Sequence, residues 1–212
     1  MSNLPAIGVG WTGASGLAYG VRLVDVLLNA GRDVNLVISG AVSQTAPVEL
    51  GHSVEGLVAR LESMGPGCLR VFGQQEFTAP LASGSCFGPG GGAPYVIIPC
   101  SMGTVGRMAA GTSETLLLRA ADVCLKERRQ LIIVPRETPL ATHHLENLAR
   151  LSAMGALVLP AMPGFYHRPA TPGDLIDFIV QRVCDHLQVP VNLAPRWGQP
   201  DTGPGGPPEE MP

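Results

Sequence analysis

Charge is scarce in this chain. Only 15% of its 212 residues are Asp, Glu, Lys or Arg, and they sum to a net charge of -3. No basic stripe is present to neutralise phosphates along a strand, which argues against nucleic acid as a partner. The few cations are placed locally, which suits a small anionic ligand. Long apolar runs are missing too. No stretch approaches the ~18–20 residues of a membrane span. Met1-Ser2-Asn3-Leu4-Pro5 has neither the basic start nor the apolar core of a signal peptide, so a cytoplasmic protein is expected. Paired cysteines are absent. Cys68, Cys86, Cys100, Cys124 and Cys184 are odd in number, scattered, and contain no Cys-x-x-Cys, which argues against a disulfide framework or a zinc site. His143 and Glu146 have a His-x-x-Glu spacing without a third ligand, so no metal is expected.

What remains is strongly apolar, with a mean hydropathy of +0.23. That suits one domain with a substantial core over residues 1–198, and a surface partly buried in a homo-oligomer. Strand-like and helix-like segments alternate. Strands are predicted at 6–10, 34–38, 69–72, 96–98, 131–134 and 156–159, and helices at 17–30, 53–64, 114–125, 143–154 and from 171 onward. Leu17, Val21, Val24 and Leu28 form one apolar helix face closed by Gly31. Ser53 is a plausible N-cap, and Thr171-Pro172-Gly173-Asp174 reads as a capping box with proline at the first position. Repeated strand–helix units with short loops imply an α/β fold with a parallel sheet covered on both faces. Residues 82–92 form a Gly/Ser-rich loop, and the Pro/Gly-rich tail 199–212 is expected to be disordered.

In such sheets ligands bind past the carboxyl ends of the strands. The run Leu131–Val134 ends there in Pro135-Arg136-Glu137-Thr138-Pro139, a charged pair fenced by prolines or a plain solvated turn. After the first strand, Gly10-Trp11-Thr12-Gly13-Ala14-Ser15-Gly16 opens a helix. Its amides, with the Thr12 and Ser15 hydroxyls, offer an anion site; alternatively its glycines only tighten a turn. It is neither a P-loop nor a clean dinucleotide fingerprint. Ser39 ends the second strand where a dinucleotide fold has an acid, which suits a mononucleotide. Pro99-Cys100-Ser101-Met102-Gly103-Thr104 repeats the theme with hydroxyls that can line a flat cofactor.

Arg119, mid-helix among leucines, needs a partner. Asp122 three residues on and a ligand phosphate or flavin carbonyl are the alternatives. Lys126 and Arg136 flank the next strand and are read as converging. With Tyr166 and Arg182 they would make a compact phosphate clamp, beside which Glu49 and Glu137 supply proton transfer.

Several segments, in order from about Ile7 to Trp197, resemble the UbiX-type flavin prenyltransferases. They are Thr12-Gly13-Ala14-Ser15-Gly16, Ala120–Arg129, Val134-Pro135-Arg136-Glu137-Thr138-Pro139, Pro163-Gly164-Phe165-Tyr166-His167-Arg168-Pro169 and Pro195-Arg196-Trp197. The resemblance implies a flavodoxin/Rossmann-like three-layer sandwich that binds FMN. It implies transfer of a dimethylallyl group from dimethylallyl monophosphate to reduced FMN, without a metal. The product, prenylated FMN, would serve a UbiD-type decarboxylase, and the protein would form a homo-oligomer, commonly a dodecamer, with the site at a subunit junction. By position, Ser15, Ser39, Thr104 and Arg119 match flavin-contacting residues, beside Thr12, Gly13 and Ser101 of the same loops. Lys126, Arg136, Tyr166 and Arg182 match the groups on the prenyl phosphate. Glu49 and Glu137 match carboxylates at the reacting centre, with Glu137 protonating the leaving phosphate and Ser15 relaying a proton. The chain departs from the pattern at Gly40, at 111–115 and at Phe77. Two rivals are an FMN-dependent cysteine decarboxylase-like flavoprotein and a flavin carrier without chemistry. The first would show a Pro-x-Met-Asn stretch and an early active-site His, both missing here; the second has no need of a phosphate clamp.

Overall fold

The computed structural model describes residues 4–86 and 93–198. The stretch 87–92 of the Gly/Ser-rich loop and the tail 199–212 lie outside the described residues. Six strands form one parallel sheet: β1 (Ile7–Trp11), β2 (Val34–Ile38), β3 (Leu69–Phe72), β4 (Tyr95–Cys100), β5 (Leu131–Pro135) and β6 (Leu157–Val158). Their order is β3-β2-β1-β4-β5-β6, so the chain reverses its direction of winding between β1 and β4. The helices are α1 (Leu17–Asn29), α2 (Val42–Leu50), α3 (Val54–Glu62), α4 (Met102–Ala109), α5 (Leu116–Lys126), α6 (Thr142–Ala153) and α7 (Pro172–His186).

Successive strand residues point to opposite faces of a sheet. Ile7, Val9, Trp11, Val34, Leu36, Val96, Ile98, Ile132 and Val134 therefore share one core with α1, α3 and α7. Val37, Tyr95, Ile97, Leu131 and Ile133 share the other with α4 and α5. The result is the three-layer sandwich, buried on both faces as an all-parallel sheet must be.

The helix starts follow local chemistry. Ser53 Oγ accepts the Gly56 amide at 3.2 Å, and Thr171 Oγ1 accepts the Asp174 amide at 3.2 Å while Asp174 Oδ2 accepts the Thr171 amide at 2.9 Å. Both predicted caps form. Gly31, at φ +71°, sits two residues past the end of α1, in the left-handed region that stops a helix there.

Two helices differ from the sequence reading. α2 was not predicted, because Pro47 lies inside it and only Val42 and Ala46 are buried along it. α4 was not predicted either; it is eight residues long and carries Gly103 and Gly106. The glycines of the first strand also have a different purpose from the one inferred. A Cβ on Gly8 would lie 2.7 Å from the Tyr95 ring, and one on Gly10 would lie 2.6 Å from the Tyr95 hydroxyl. Gly8 and Gly10 make room for a buried tyrosine and take no part in a phosphate loop. Only Gly13 and Gly16 lie in the turn. Gly16, at φ +99°, supplies the left-handed residue that starts α1.

Candidate functional site

Residues from four loops meet at the carboxyl edge of the sheet, around the reversal between β1 and β4. Thr12 follows β1, Ser39 follows β2, Ser101 follows β4 and Arg136 follows β5. Thr12 is buried, and its hydroxyl is spent on the protein. Oγ1 donates to the Pro99 carbonyl at 2.7 Å and accepts the Ser101 amide at 2.9 Å, pinning the first loop to the third. Ser101 Oγ accepts the Thr104 amide at 3.3 Å, and the two hydroxyls lie 2.9 Å apart, so this pair caps α4. Thr12, Ser101 and Thr104 therefore build the floor. The hydroxyls of Ser15 and Ser39 make no hydrogen bond among the described residues, and both stand at the rim.

The positive end of α1 is already filled. Glu49, on the unpredicted α2, accepts the Gly16 amide at 3.0 Å and the Leu17 amide at 3.0 Å. A carboxylate there is favoured by the helix dipole and by otherwise unsatisfied amides. The anion site expected at Gly13–Gly16 is thus occupied by the protein's own side chain. The same contact holds Glu49 on the two residues that follow Ser15.

Past β5, the Arg136 guanidinium has no hydrogen bond or ion pair among the described residues. Its charge acts on Tyr19 in α1. Burial pushes the Tyr19 phenol above its ordinary pKa, and the charge of Arg136 partly offsets this. Glu137 beside it is half-buried and accepts the Thr138 amide at 3.2 Å. An unpaired guanidinium, two free hydroxyls and two carboxylates therefore lie on loops and a helix gathered at one edge of the sheet. That donor set fits a flavin with a phosphate arm and a second phosphorylated molecule.

Arg119 takes the local partner foreseen for it. Nη1 donates to Asp122 at 2.7 Å, and Nε to the Ala82 carbonyl at 3.1 Å, so it holds the segment leading into the Gly-rich loop.

The phosphate clamp does not close within one protomer. Lys126 ends α5 ahead of β5, where it pairs with Glu127. Arg136 follows the far end of β5. A five-residue strand spans about 16 Å, so the predicted convergence of Lys126 and Arg136 fails inside one chain. Arg182 lies on α7, across the sheet from α5. The Gln130 side chain donates to the His186 carbonyl at 2.9 Å, which brings the end of α7 to the amino edge of the sheet.

Tyr166 and Arg182 do come to one place. They line one cavity of about 170 Å³ with Phe178, Asp185, Arg196 and Trp197. Tyr166 packs edge-on against Phe178, with ring centroids 5.7 Å apart, and against Trp197 at 5.0 Å. Trp197 is 79% exposed and Phe165 71%. The sequence reading gives no role to Asp185 or Arg196. Arg182-x-x-Asp185 has the spacing of a helical ion pair, which was the available signal; Arg196 stands in the Pro195-Arg196-Trp197 segment of the family resemblance, with nothing local to pair it with Asp185.

Comparison with known proteins shows the family of the chain. The Flavoprotein family model matches residues 1–184. The flavin prenyltransferase UbiX of Pseudomonas aeruginosa is 43% identical over 208 residues, covering 94% of this chain and 97% of that protein. A dodecameric FMN-dependent UbiX-like decarboxylase from Escherichia coli O157:H7 has a TM-score of 0.81 and 36% identity, covering 92% of this chain and 100% of that one. The structure of AnUbiX in complex with FMN and dimethylallyl pyrophosphate has a TM-score of 0.83 and 31% identity, covering 93% of this chain and 99% of that one. The chain belongs to the Flavoprotein family and, within it, to the UbiX flavin prenyltransferases.

Proposed function

We propose that this protein joins a dimethylallyl group from dimethylallyl monophosphate to reduced FMN and releases phosphate. The observation that carries the reading is the set of polar groups at the carboxyl edge of the sheet. There an unpaired Arg136, the free Ser15 and Ser39 hydroxyls and the carboxylates Glu49 and Glu137 surround the switch point of a flavoprotein fold. Ser39 and Ser15 would hold the flavin, with Thr12, Gly13, Ser101 and Thr104 shaping its bed and Arg119 addressing it from a neighbouring subunit or through its own loop. Arg136, Tyr166, Arg182 and Lys126 would take the prenyl phosphate. Reduced FMN supplies the nucleophilic ring nitrogen and the adjacent aromatic carbon that accept the prenyl group.

The protein's own contribution is to loosen the bond between the allylic carbon and the phosphate oxygen. Cations on the phosphate oxygens stabilise the charge that develops as that bond breaks. A proton from Glu137 to the leaving oxygen completes the departure. Ser15, next in the chain to the Gly16 amide that Glu49 accepts, would pass a proton away from the flavin ring. Lys126 lies at the amino edge of the sheet and reaches these groups only from another protomer. That requirement agrees with a homo-oligomer, and the dodecamer of the Escherichia coli relative supplies the form expected. A UbiD-type decarboxylase in the cytoplasm is the expected recipient of the product.

The test is anaerobic incubation with reduced FMN and dimethylallyl monophosphate, followed by mass spectrometry of the extracted flavin. The expected flavin is heavier by one prenyl unit, with one phosphate released per flavin. Unaltered flavin would refute the reading.

A further inference from the structure

The cavity that holds Tyr166 and Arg182 is organised by one carboxylate. Asp185 Oδ1 accepts Arg196 Nη2 at 2.7 Å and Gln181 Nε2 at 2.8 Å. Its Oδ2 accepts Arg182 Nη1 at 2.9 Å and Arg196 Nη1 at 3.1 Å. Arg196 is thus held by the two-pronged contact that a guanidinium and a carboxylate favour, whereas Arg182 is held by one prong. Among the described residues, Arg182 keeps Nε and Nη2 without a partner. The Gln181 side chain is 3% exposed, and its Oε1 accepts the Leu193 amide at 2.7 Å. The segment after α7 is therefore tied to the helix at two points, Leu193 and Arg196. The next residue, Trp197, is the one whose ring meets Tyr166.

The charges count in the same direction. Burial alone would push the Asp185 carboxyl up. The hydrogen bonds from Arg196 and Gln181, with the charges of Arg196 and Arg182, outweigh it and hold the group below the usual aspartate range. One ionised carboxylate stands between two guanidiniums, which leaves the cavity with one positive charge in excess.

We infer that Asp185 is a positioning residue for the prenyl-phosphate site: it locks Arg196 and the chain end so that Trp197 braces Tyr166, and it aims Arg182 with two N–H edges open to an anion. This rests on the reading that Tyr166 and Arg182 bind the phosphate. Without the carboxylate the two guanidiniums repel one another. The segment 193–198 then keeps only its tie at Leu193 and loses the one at Arg196, and Tyr166 loses the ring that supports it.

Two readouts on Asp185→Asn and Arg196→Gln separate this inference from the reading beneath it. The first is hydrogen–deuterium exchange of the peptide spanning 189–198, which needs no turnover. Exchange there should quicken about tenfold in both variants, while α1 to α5 exchange as before. The second is calorimetric affinity of the FMN-loaded protein for dimethylallyl monophosphate, beside FMN affinity. Each variant should bind the prenyl phosphate about tenfold more weakly with FMN affinity unchanged, and the double variant no more weakly than either single one, since both act through one contact. Asp185→Glu should recover most of the loss. Unchanged exchange in 189–198 overturns the inference, as does quickened exchange with unchanged prenyl-phosphate affinity, or joint loss of FMN and prenyl-phosphate binding. If the wild type binds dimethylallyl monophosphate without altering the flavin, the prenyltransferase reading fails, and the two readouts still decide the role of Asp185.

Discussion

Single side chains decide the chemistry at this site, and three tests address individual residues, there and elsewhere in the fold. Glu137 sits beside an unpaired Arg136, so Glu137→Gln should leave FMN bound and slow prenyl transfer about a hundredfold, the scale of a lost general acid. Flavin absorbance of the purified variant with single-turnover rates checks this; loss of flavin would give Glu137 a structural role instead. The thiols give a second test. Burial pushes the Cys124 and Cys184 thiols up to about 12 and Cys100 higher still, while Cys68 is exposed. Iodoacetamide at pH 8 should therefore modify Cys68 and spare Cys100, Cys124 and Cys184 in the folded protein, because the reactive form is the thiolate. Peptide mass mapping reads the result. Asp185 gives the third. Its folded-state pKa is depressed, so its contribution to stability is present above the ordinary aspartate pKa of about 3.9 and fades as pH falls through the lower folded value. Urea unfolding from pH 5 to pH 2 should show an acid-side decline that is shallower in Asp185→Asn.

At the scale of elements, every strand and most helices were legible because apolar residues recur with a period of two or run continuously in strands, and recur every three to four residues in helices. Caps at Ser53, Thr171 and Gly31 were legible for the same local reason. α2 escaped because its stability comes from where it packs. Pro47 interrupts its ladder, and its apolar face is two residues wide. That helix carries Glu49, so the filling of the α1 N-terminus could not be read from the chain. The glycines of β1 were legible as glycines and misread in purpose, since the tyrosine they admit is more than eighty residues away. Gly10→Ala puts a methyl group against the Tyr95 hydroxyl in a fully buried layer. It should cost about 1–3 kcal/mol by overpacking, measured by urea denaturation; Gly10→Ala with Tyr95→Phe should recover part of the loss.

For the molecule as a whole, the paired cations at 126 and 136 look adjacent in the chain but are separated by the height of the sheet. Sequence distance hides this, because one five-residue strand carries the chain from one edge to the other. Phe165, Tyr166 and Trp197 are large apolar side chains left exposed in the single chain. No helix among the described residues is long and apolar enough to cross a membrane.

The central claim is a prenyl-transfer site shared between copies of this chain. Its most direct test co-expresses Lys126→Ala and Arg136→Ala chains and measures the mass of flavin recovered after anaerobic incubation with dimethylallyl monophosphate. Each variant alone should return unmodified flavin, and the mixed oligomer should regain prenylated flavin at about a quarter of its sites, those where an intact Lys126 meets an intact Arg136. A mixture as inactive as its parents, beside an active wild type, would contradict the shared site.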